Sequence, residues 1–286
     1  MHWLPMRLRA ASPAAGVLAL LLACWSPAPA QTVQRFLPNR DLLPRLLAAP
    51  REPTTAAKLV LPLTSPSQFG TVLEGDAAFG ASLPVYLLAG RSIEDALVIG
   101  VEGGVFARFN LQTKQRDLIT SDWVFAVPLV LHRGGHWLSV RYFHSSAHLG
   151  DEYLERFDVE RIPYSRDALE ATAYWRPGGA LGVYGGARWA FRVDPPEHRR
   201  WAVRGGVEIQ GAGGARRQPY VAADLELDQQ SRWEPRLNVQ AGVRFAPSGS
   251  RPAARLGVEV LTGPSPQGQF WDRRATHVTL GITLDL

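Results

Sequence analysis

The sequence predicts an all-β fold, namely a membrane-spanning, antiparallel up-and-down β-barrel of about 12 strands. The main observation is that apolar and polar residues alternate one by one in successive segments of roughly ten residues. Between Arg236 and Phe245, for example, Leu, Val, Ala, Val and Phe alternate with Arg, Asn, Gln, Gly and Arg. Successive side chains of a strand point to opposite faces, so each such segment has one apolar and one polar face.

Charges on the polar faces distinguish a membrane barrel from a soluble one. They occur along many segments and include Arg188, Arg192, Arg204, Glu208, Arg244, Glu259 and Asp285. The dry core of a soluble barrel would not accommodate so many charges. A closed barrel with its apolar side toward lipid and its polar side toward a lumen satisfies both faces. After Gln31 no segment is apolar over the ~18 residues that a spanning helix needs, which excludes a helical inner-membrane protein.

The N-terminal residues predict export. Arg7 and Arg9 precede an apolar stretch, and Ala28, Pro29 and Ala30 follow it. This is the order of a secretory signal peptide, here residues 1–30. An alternative is a lipoprotein signal in which Cys24 would be acylated.

The remaining chain is expected to form one domain of an outer-membrane protein in a Gram-negative bacterium. Residues 31–55 are proline-rich and are predicted to be an N-terminal periplasmic segment, while residues 56–286 form the barrel. The formal net charge is +5, and the basic residues are spread along the strands, which argues against nucleic acid. The expected partners are outer-membrane lipid, lipopolysaccharide and the barrel-assembly machinery.

The alternating segments give the predicted strands in order. They are residues 56–63, 76–89, 96–110, 118–133, 136–148, 165–175, 180–192, 200–210, 218–228, 236–246, 253–262 and 276–286. Tight links such as Gly134-Gly135 alternate mostly with longer ones such as residues 149–164. Bacterial barrels have short periplasmic turns and long outer loops, so both chain ends are expected in the periplasm.

Three stretches together carry a family resemblance. They are residues 46–53 (LLAAPREP), 144–152 (HSSAHLGDE) and 181–186 (LGVYGG). They resemble an uncharacterised family of Gram-negative outer-membrane proteins, domain of unknown function 1207, over most of the chain after the signal. The resemblance implies a location and a fold, but no activity.

A polar cluster at the end of the fifth predicted strand is the main candidate for chemistry. It consists of His144, Ser145, Ser146, His148, Asp151 and Glu152. Alternation places His144 and Ser146 on the lipid-facing side, where polar groups are costly. The order His-x-Ser is similar to that of outer-membrane phospholipase A and of the lipid A 3-O-deacylase. That similarity implies Ser146 as nucleophile, His144 as general base, and Asp151 or Glu152 as the group that orients the imidazole.

Two other interpretations of this cluster remain open. In the first interpretation, the cluster is a polar rim that anchors the loop of residues 149–164, with Asp151 and Glu152 paired to Arg141, Arg156 or Arg161. Alternatively, its histidines and carboxylates form a metal site suited to zinc or calcium, although no spacing motif supports one. No cofactor is expected for a non-enzymatic barrel. Calcium is a possible ligand only if the cluster is a hydrolase site or a metal site.

The lumen is the second region of interest. Its predicted charges, on the eighth to tenth predicted strands, are Arg200, Arg204, Asp224, Glu226, Asp228, Arg236 and Arg244. Opposite charges on neighbouring strands pair directly across the sheet. Twelve strands enclose a modest space that such pairs would largely fill. The favoured function is therefore a non-enzymatic barrel, structural or with a narrow or plugged pore, and the alternative is a lipid acyl hydrolase at the outer leaflet.

Overall fold

The computed structural model describes residues 33–38, 42–89, 94–211, 216–248 and 252–286. Within these ranges the strands are β1 Val33–Phe36, β2 Thr55–Thr64, β3 Glu74–Ala89, β4 Ala96–Asn110, β5 Leu118–Arg133, β6 His136–Leu149, β7 Tyr164–Gly178, β8 Leu181–Asp194, β9 Trp201–Gln210, β10 Arg217–Asp228, β11 Pro235–Phe245, β12 Ala253–Pro264 and β13 Arg274–Asp285. One α-helix, α1 Asp151–Phe157, follows β6. None of the helices in these ranges is long and apolar enough to cross a membrane. The predicted signal peptide and Cys24 lie outside the described residues.

Twelve of these strands close into a barrel, as predicted. Each of β2 to β13 pairs antiparallel with its neighbours in sequence, and β13 pairs with β2 through the register Leu280↔Leu59. The extra strand β1 pairs with the last residues of β3. The connections of residues 65–73, 150–163 and 265–273 share one end of the barrel, the long-loop end. Gly134-Gly135 and Gly179-Ala180 lie at the other, the short-turn end.

The outer surface of the barrel is apolar and has aromatic residues near both ends. Large hydrophobic side chains point outward from many strands, and Phe79 of β3 is 76% exposed. Exposed tryptophans include Trp123, Trp201 and Trp233 toward the long-loop end and Trp175 toward the short-turn end. An apolar band between two aromatic girdles is the surface of a barrel that faces lipid.

The interior is filled by residues 42–54, which we call the plug. Its apolar side chains Leu42, Leu43, Leu46, Leu47, Ala48 and Ala49 are all buried. The Leu47 amide donates to Glu208 Oε1 at 2.6 Å, and Asn238 Nδ2 donates to the Ala48 carbonyl at 2.7 Å. The prediction of a periplasmic segment for residues 31–55 is therefore wrong for residues 42–54. These residues satisfy their backbone groups on polar lumen side chains and bury their leucines against the wall.

The long-loop end is covered by α1 together with residues 65–73 and 265–273, which we call the cap. Tyr153 of α1 is buried against Phe69 and Phe270, and its hydroxyl accepts a hydrogen bond from the Gln68 amide at 2.9 Å. Burial raises the pKa of this phenol above its ordinary value. The barrel is thus filled from within and covered at one end.

Candidate functional site

The lumen charges form a network centred on Glu226. Its carboxylate pairs with Arg204 at 2.8 Å, with Arg188 at 3.5 Å and also with Arg236. Arg204 also lies 3.4 Å from Asp224. The structure thus brings together Arg204, Asp224, Glu226 and Arg236, all of which lie on the lumen wall where the sequence predicts them.

The network also includes Asp228, as the sequence predicts, and extends to residues of β6 and β7 that were not among the predicted lumen charges. Asp228 pairs with Arg166 at 3.0 Å and with Arg188 at 3.1 Å. On β6 and β7, Arg141 pairs with Glu170 at 2.8 Å. The alternation of charged residues along β6 to β8 is the sequence pattern that could have predicted these lumen positions.

Two of the predicted lumen charges lie apart from this network. Arg244 is 3.8 Å from Asp285 and donates to the side-chain oxygen of Gln218 at 3.3 Å. Arg200 is exposed, immediately before β9, and its guanidinium donates to the backbone carbonyls of Ala190 and Phe191. Arg200 therefore ties two chain segments together at the long-loop end and does not face the lumen carboxylates.

The plug is connected to the network through Glu52. Its carboxylate lies 3.6 Å from Arg141 and 3.9 Å from Arg204. Burial raises the pKa of Glu52 to about 7, a rise that Arg141 opposes and the neighbouring carboxylate of Glu102 reinforces. Since both guanidinium contacts are long, they only partly offset the cost of burying the charge.

A small polar cavity lies between the plug and the cap. Its volume is about 100 Å³, and its lining includes Arg51, Arg166, Arg236, Gln267 and Trp271. Arg51 of the plug forms an ion pair at 2.8 Å with Asp122 of the wall. A cavity of this size has room for a few water molecules.

On the exterior wall, the structure pairs His144 with a residue that the sequence reasoning did not identify. His144 Nδ1 lies 2.8 Å from Oδ1 of Asp167, which is its cross-strand partner on β7. The Tyr142 hydroxyl donates to the same oxygen at 2.6 Å. The His144 side chain is 39% exposed, whereas that of Asp167 is 13% exposed. A carboxylate at Nδ1 holds the imidazole in one tautomer with Nε2 free, as a general base requires.

The two adjacent serines lie on opposite faces of β6. Ser146 is opposite Trp123 of β5 and Ser165 of β7, on the same outward face as His144. Ser145 faces the other way and is opposite Arg166. No hydrogen bond joins Ser146 to His144 in the part of the chain that the structure describes. In apo structures such catalytic contacts are often long or misaligned.

The other members of the polar cluster lie away from His144. Asp151 is at the start of α1, where it pairs with Arg161, and Glu152 is exposed beside it. His148 is exposed, and its carbonyl accepts a hydrogen bond from the Thr120 hydroxyl at 2.9 Å. Among the described residues, no group of three or more His, Cys, Asp or Glu side chains is arranged to hold a metal ion.

Sequence comparison identifies the family. Residues 24–285 match the family described as Protein of unknown function (DUF1207), and the chain therefore belongs to it. No protein with a curated description matches the chain.

Solved structures with the same fold are outer-membrane barrels. Outer-membrane phospholipase A from Escherichia coli has a TM-score of 0.55 at 11% identity, covering 83% of this chain and 93% of that chain. The calcium-bound dimer of the Salmonella typhi phospholipase has a TM-score of 0.54 at 12% identity, covering 86% and 96%. The KdgM porin has a TM-score of 0.44 at 11% identity, covering 82% and 99%. At these identities the similarity to the two phospholipase structures shows an outer-membrane β-barrel fold and no activity.

Proposed function

We propose that this DUF1207 protein is an outer-membrane barrel that its own plug closes, with a structural role and no diffusion pore. It would lie in the outer membrane of a Gram-negative bacterium, with both termini periplasmic. The apolar face of β13 would be recognised by the barrel-assembly machinery. The observation that carries the proposal is the position of residues 42–54, whose leucines and backbone groups occupy the lumen.

Conductance in planar bilayers tests this proposal. The purified protein should give no steady ion-selective steps, because the plug and the ion pairs around Glu226 fill the space that ions would need. An open porin reconstituted by the same procedure is the control for insertion. Reproducible steps from the wild-type protein would refute the closed barrel.

A second candidate function, lipid acyl hydrolysis at the outer leaflet, is supported by the contact between His144 and Asp167. In this candidate His144 Nε2 takes the proton from the Ser146 hydroxyl as its oxygen attacks an ester carbonyl. Asp167 holds the imidazole and stabilises the imidazolium that forms, the role that the sequence reasoning gave to Asp151 or Glu152. The imidazolium then returns the proton to the leaving alcohol. Water hydrolyses the acyl enzyme in the second half of the reaction.

The two neighbouring serines provide a matched test of this candidate. Ser146→Ala should reduce fatty-acid release from phospholipid or lipid A by at least about a hundredfold, since it removes the nucleophile. Ser145→Ala, on the opposite face, should leave the rate unchanged. Assays with calcium and with a chelator determine whether the cation contributes. No release by the wild-type protein, or equal rates for the two variants, would exclude hydrolysis.

A further inference from the structure

A β-bulge in β8 turns the Arg192 side chain onto the exterior wall. Ala190 is opposite Ala168 and Arg192 is opposite Asp167, so Phe191 has no partner of its own on β7. Strict alternation would direct Arg192 into the lumen, as the sequence predicts, but the extra residue reverses its face. Bulges commonly re-aim a side chain next to a functional site.

Arg192 therefore lies beside His144 and Asp167 on the exterior wall, and we call these three residues the polar row. Cross-strand register runs from His144 to Asp167 and from Asp167 to Arg192, which places the three side chains side by side on β6, β7 and β8. The next outward position of β6, Ser146, is opposite Trp123. The row therefore lies just inside the aromatic girdle of the long-loop end, at the depth of lipid ester and phosphate groups.

Arg192 differs from the other members of this row because its charge interacts with that of Asp167 without a direct contact. Among the described residues its guanidinium takes part in no ion pair or hydrogen bond, and the residue is exposed. The nearest carboxylate, that of Asp167, already accepts hydrogen bonds from Tyr142 and His144. A guanidinium offers five N–H donors in a planar fork that fits a phosphate, and a charge beside lipid is costly when its N–H donors are left without acceptors.

We propose that Arg192 binds the phosphate of a membrane lipid whose acyl chains lie on the apolar wall. Phe125 and Leu169, the strand neighbours of His144 and Tyr142, provide part of that wall. The ester groups of such a lipid would lie between its phosphate and its chains, and so beside His144. The proposal rests on the membrane placement of the barrel and gives the hydrolase candidate its substrate class, a phosphate-bearing acyl lipid. Lipid binding itself does not require hydrolysis.

Lipid retention measured by native mass spectrometry tests this proposal. The probes are phosphatidylglycerol and a galactosyl diacylglycerol with the same acyl chains, each added to the purified full-length barrel in detergent. Arg192→Gln should weaken phosphatidylglycerol binding about fivefold and leave galactolipid binding unchanged, since one basic side chain near a membrane surface contributes about that factor. Lys114→Ala, in an exposed loop at the same end, is the control and should bind as the wild type does.

Two further measurements separate the possible outcomes. Ser146→Ala should retain phosphatidylglycerol binding, because the serine does not contact the phosphate. Phosphatidylglycerol binding by a wild-type protein that releases no fatty acid would remove only the enzyme candidate. Equal phosphatidylglycerol binding by wild type and by Arg192→Gln would refute the proposal. So would displacement of the lipid by inorganic phosphate alone, which would identify a site for free anions. Unchanged gel mobility of unboiled Arg192→Gln shows that the variant is folded.

Discussion

The lumen and the exterior wall of β6 to β8 both carry charged residues, but the charges are paired more completely in the lumen. In the lumen, arginines and carboxylates share partners, as Glu226 does with Arg188, Arg204 and Arg236. On the exterior, Asp167 is shared by Tyr142 and His144, while Arg192 makes no hydrogen bond or salt bridge among the described residues. Paired charges in a closed space stabilise one structure, whereas a partly exposed histidine and a guanidinium with unused N–H donors remain available to a ligand. The lumen charges therefore stabilise the fold, and the outer wall is where the proposed lipid contact can be tested.

The largest expected effect comes from breaking the lumen network at its centre. Glu226→Ala should lower the free energy of unfolding by about 3 to 5 kcal/mol, because it leaves buried guanidinium groups without their carboxylate. The denaturant concentration at which unboiled protein loses its folded mobility on a gel measures the loss. Glu155→Ala, at an exposed position of α1, is the matched control and should change stability by less than about 0.5 kcal/mol. Equal stability of the two variants would show that the network does not hold the barrel together.

An intermediate effect is expected from pH through Glu52. The folded protein holds the carboxyl proton up to a pKa of about 7, whereas the unfolded chain releases it near 4.5. Stability should therefore fall as the pH rises from about 4.5 to about 7 and then level off, with a contribution of up to about 3 kcal/mol from this group. Unfolding midpoints across this range should show a shallower fall for Glu52→Gln than for the wild type. Parallel profiles would contradict a raised pKa for Glu52.

The smallest effect on stability is expected on the exterior wall. Asp167→Asn should cost less than about 1 kcal/mol, because its partner His144 is partly exposed. If hydrolysis occurs, the same substitution should lower its rate far more strongly, since an amide favours the wrong tautomer of the imidazole. A loss of stability as large as that of Glu226→Ala would remove the distinction between the two regions.

The strands were predictable from the sequence because apolar and polar residues alternate with a period of two over most of their length. The segment between Arg236 and Phe245 needed only that alternation, and β11 spans nearly the same residues. The face of Arg192 was not predictable in this way, since one extra residue at Phe191 reverses the parity. The partner of His144 was also missed because Asp167 is 23 positions away in sequence and becomes adjacent only through strand register.

The position of the plug inside the barrel was not predictable from the sequence for a different reason. Residues 42–54 contain prolines at 44, 50 and 53 and have no strand or long helical period, which is typical of an exposed linker. Their position depends on lumen groups that reach their backbone, such as Glu208 and Asn238. The sequence shows such groups only as polar positions of distant strands.

Thiol labelling of the plug tests the closed barrel most directly. Ala48 is fully buried in the lumen, so Ala48→Cys in a Cys24→Ser background should resist a membrane-impermeant maleimide in the folded protein. Lys114→Cys in the exposed loop should react rapidly under the same conditions, and both should react after unfolding. If Ala48→Cys reacts as fast as Lys114→Cys in the folded barrel, residues 42–54 do not occupy the lumen and the closed barrel is contradicted.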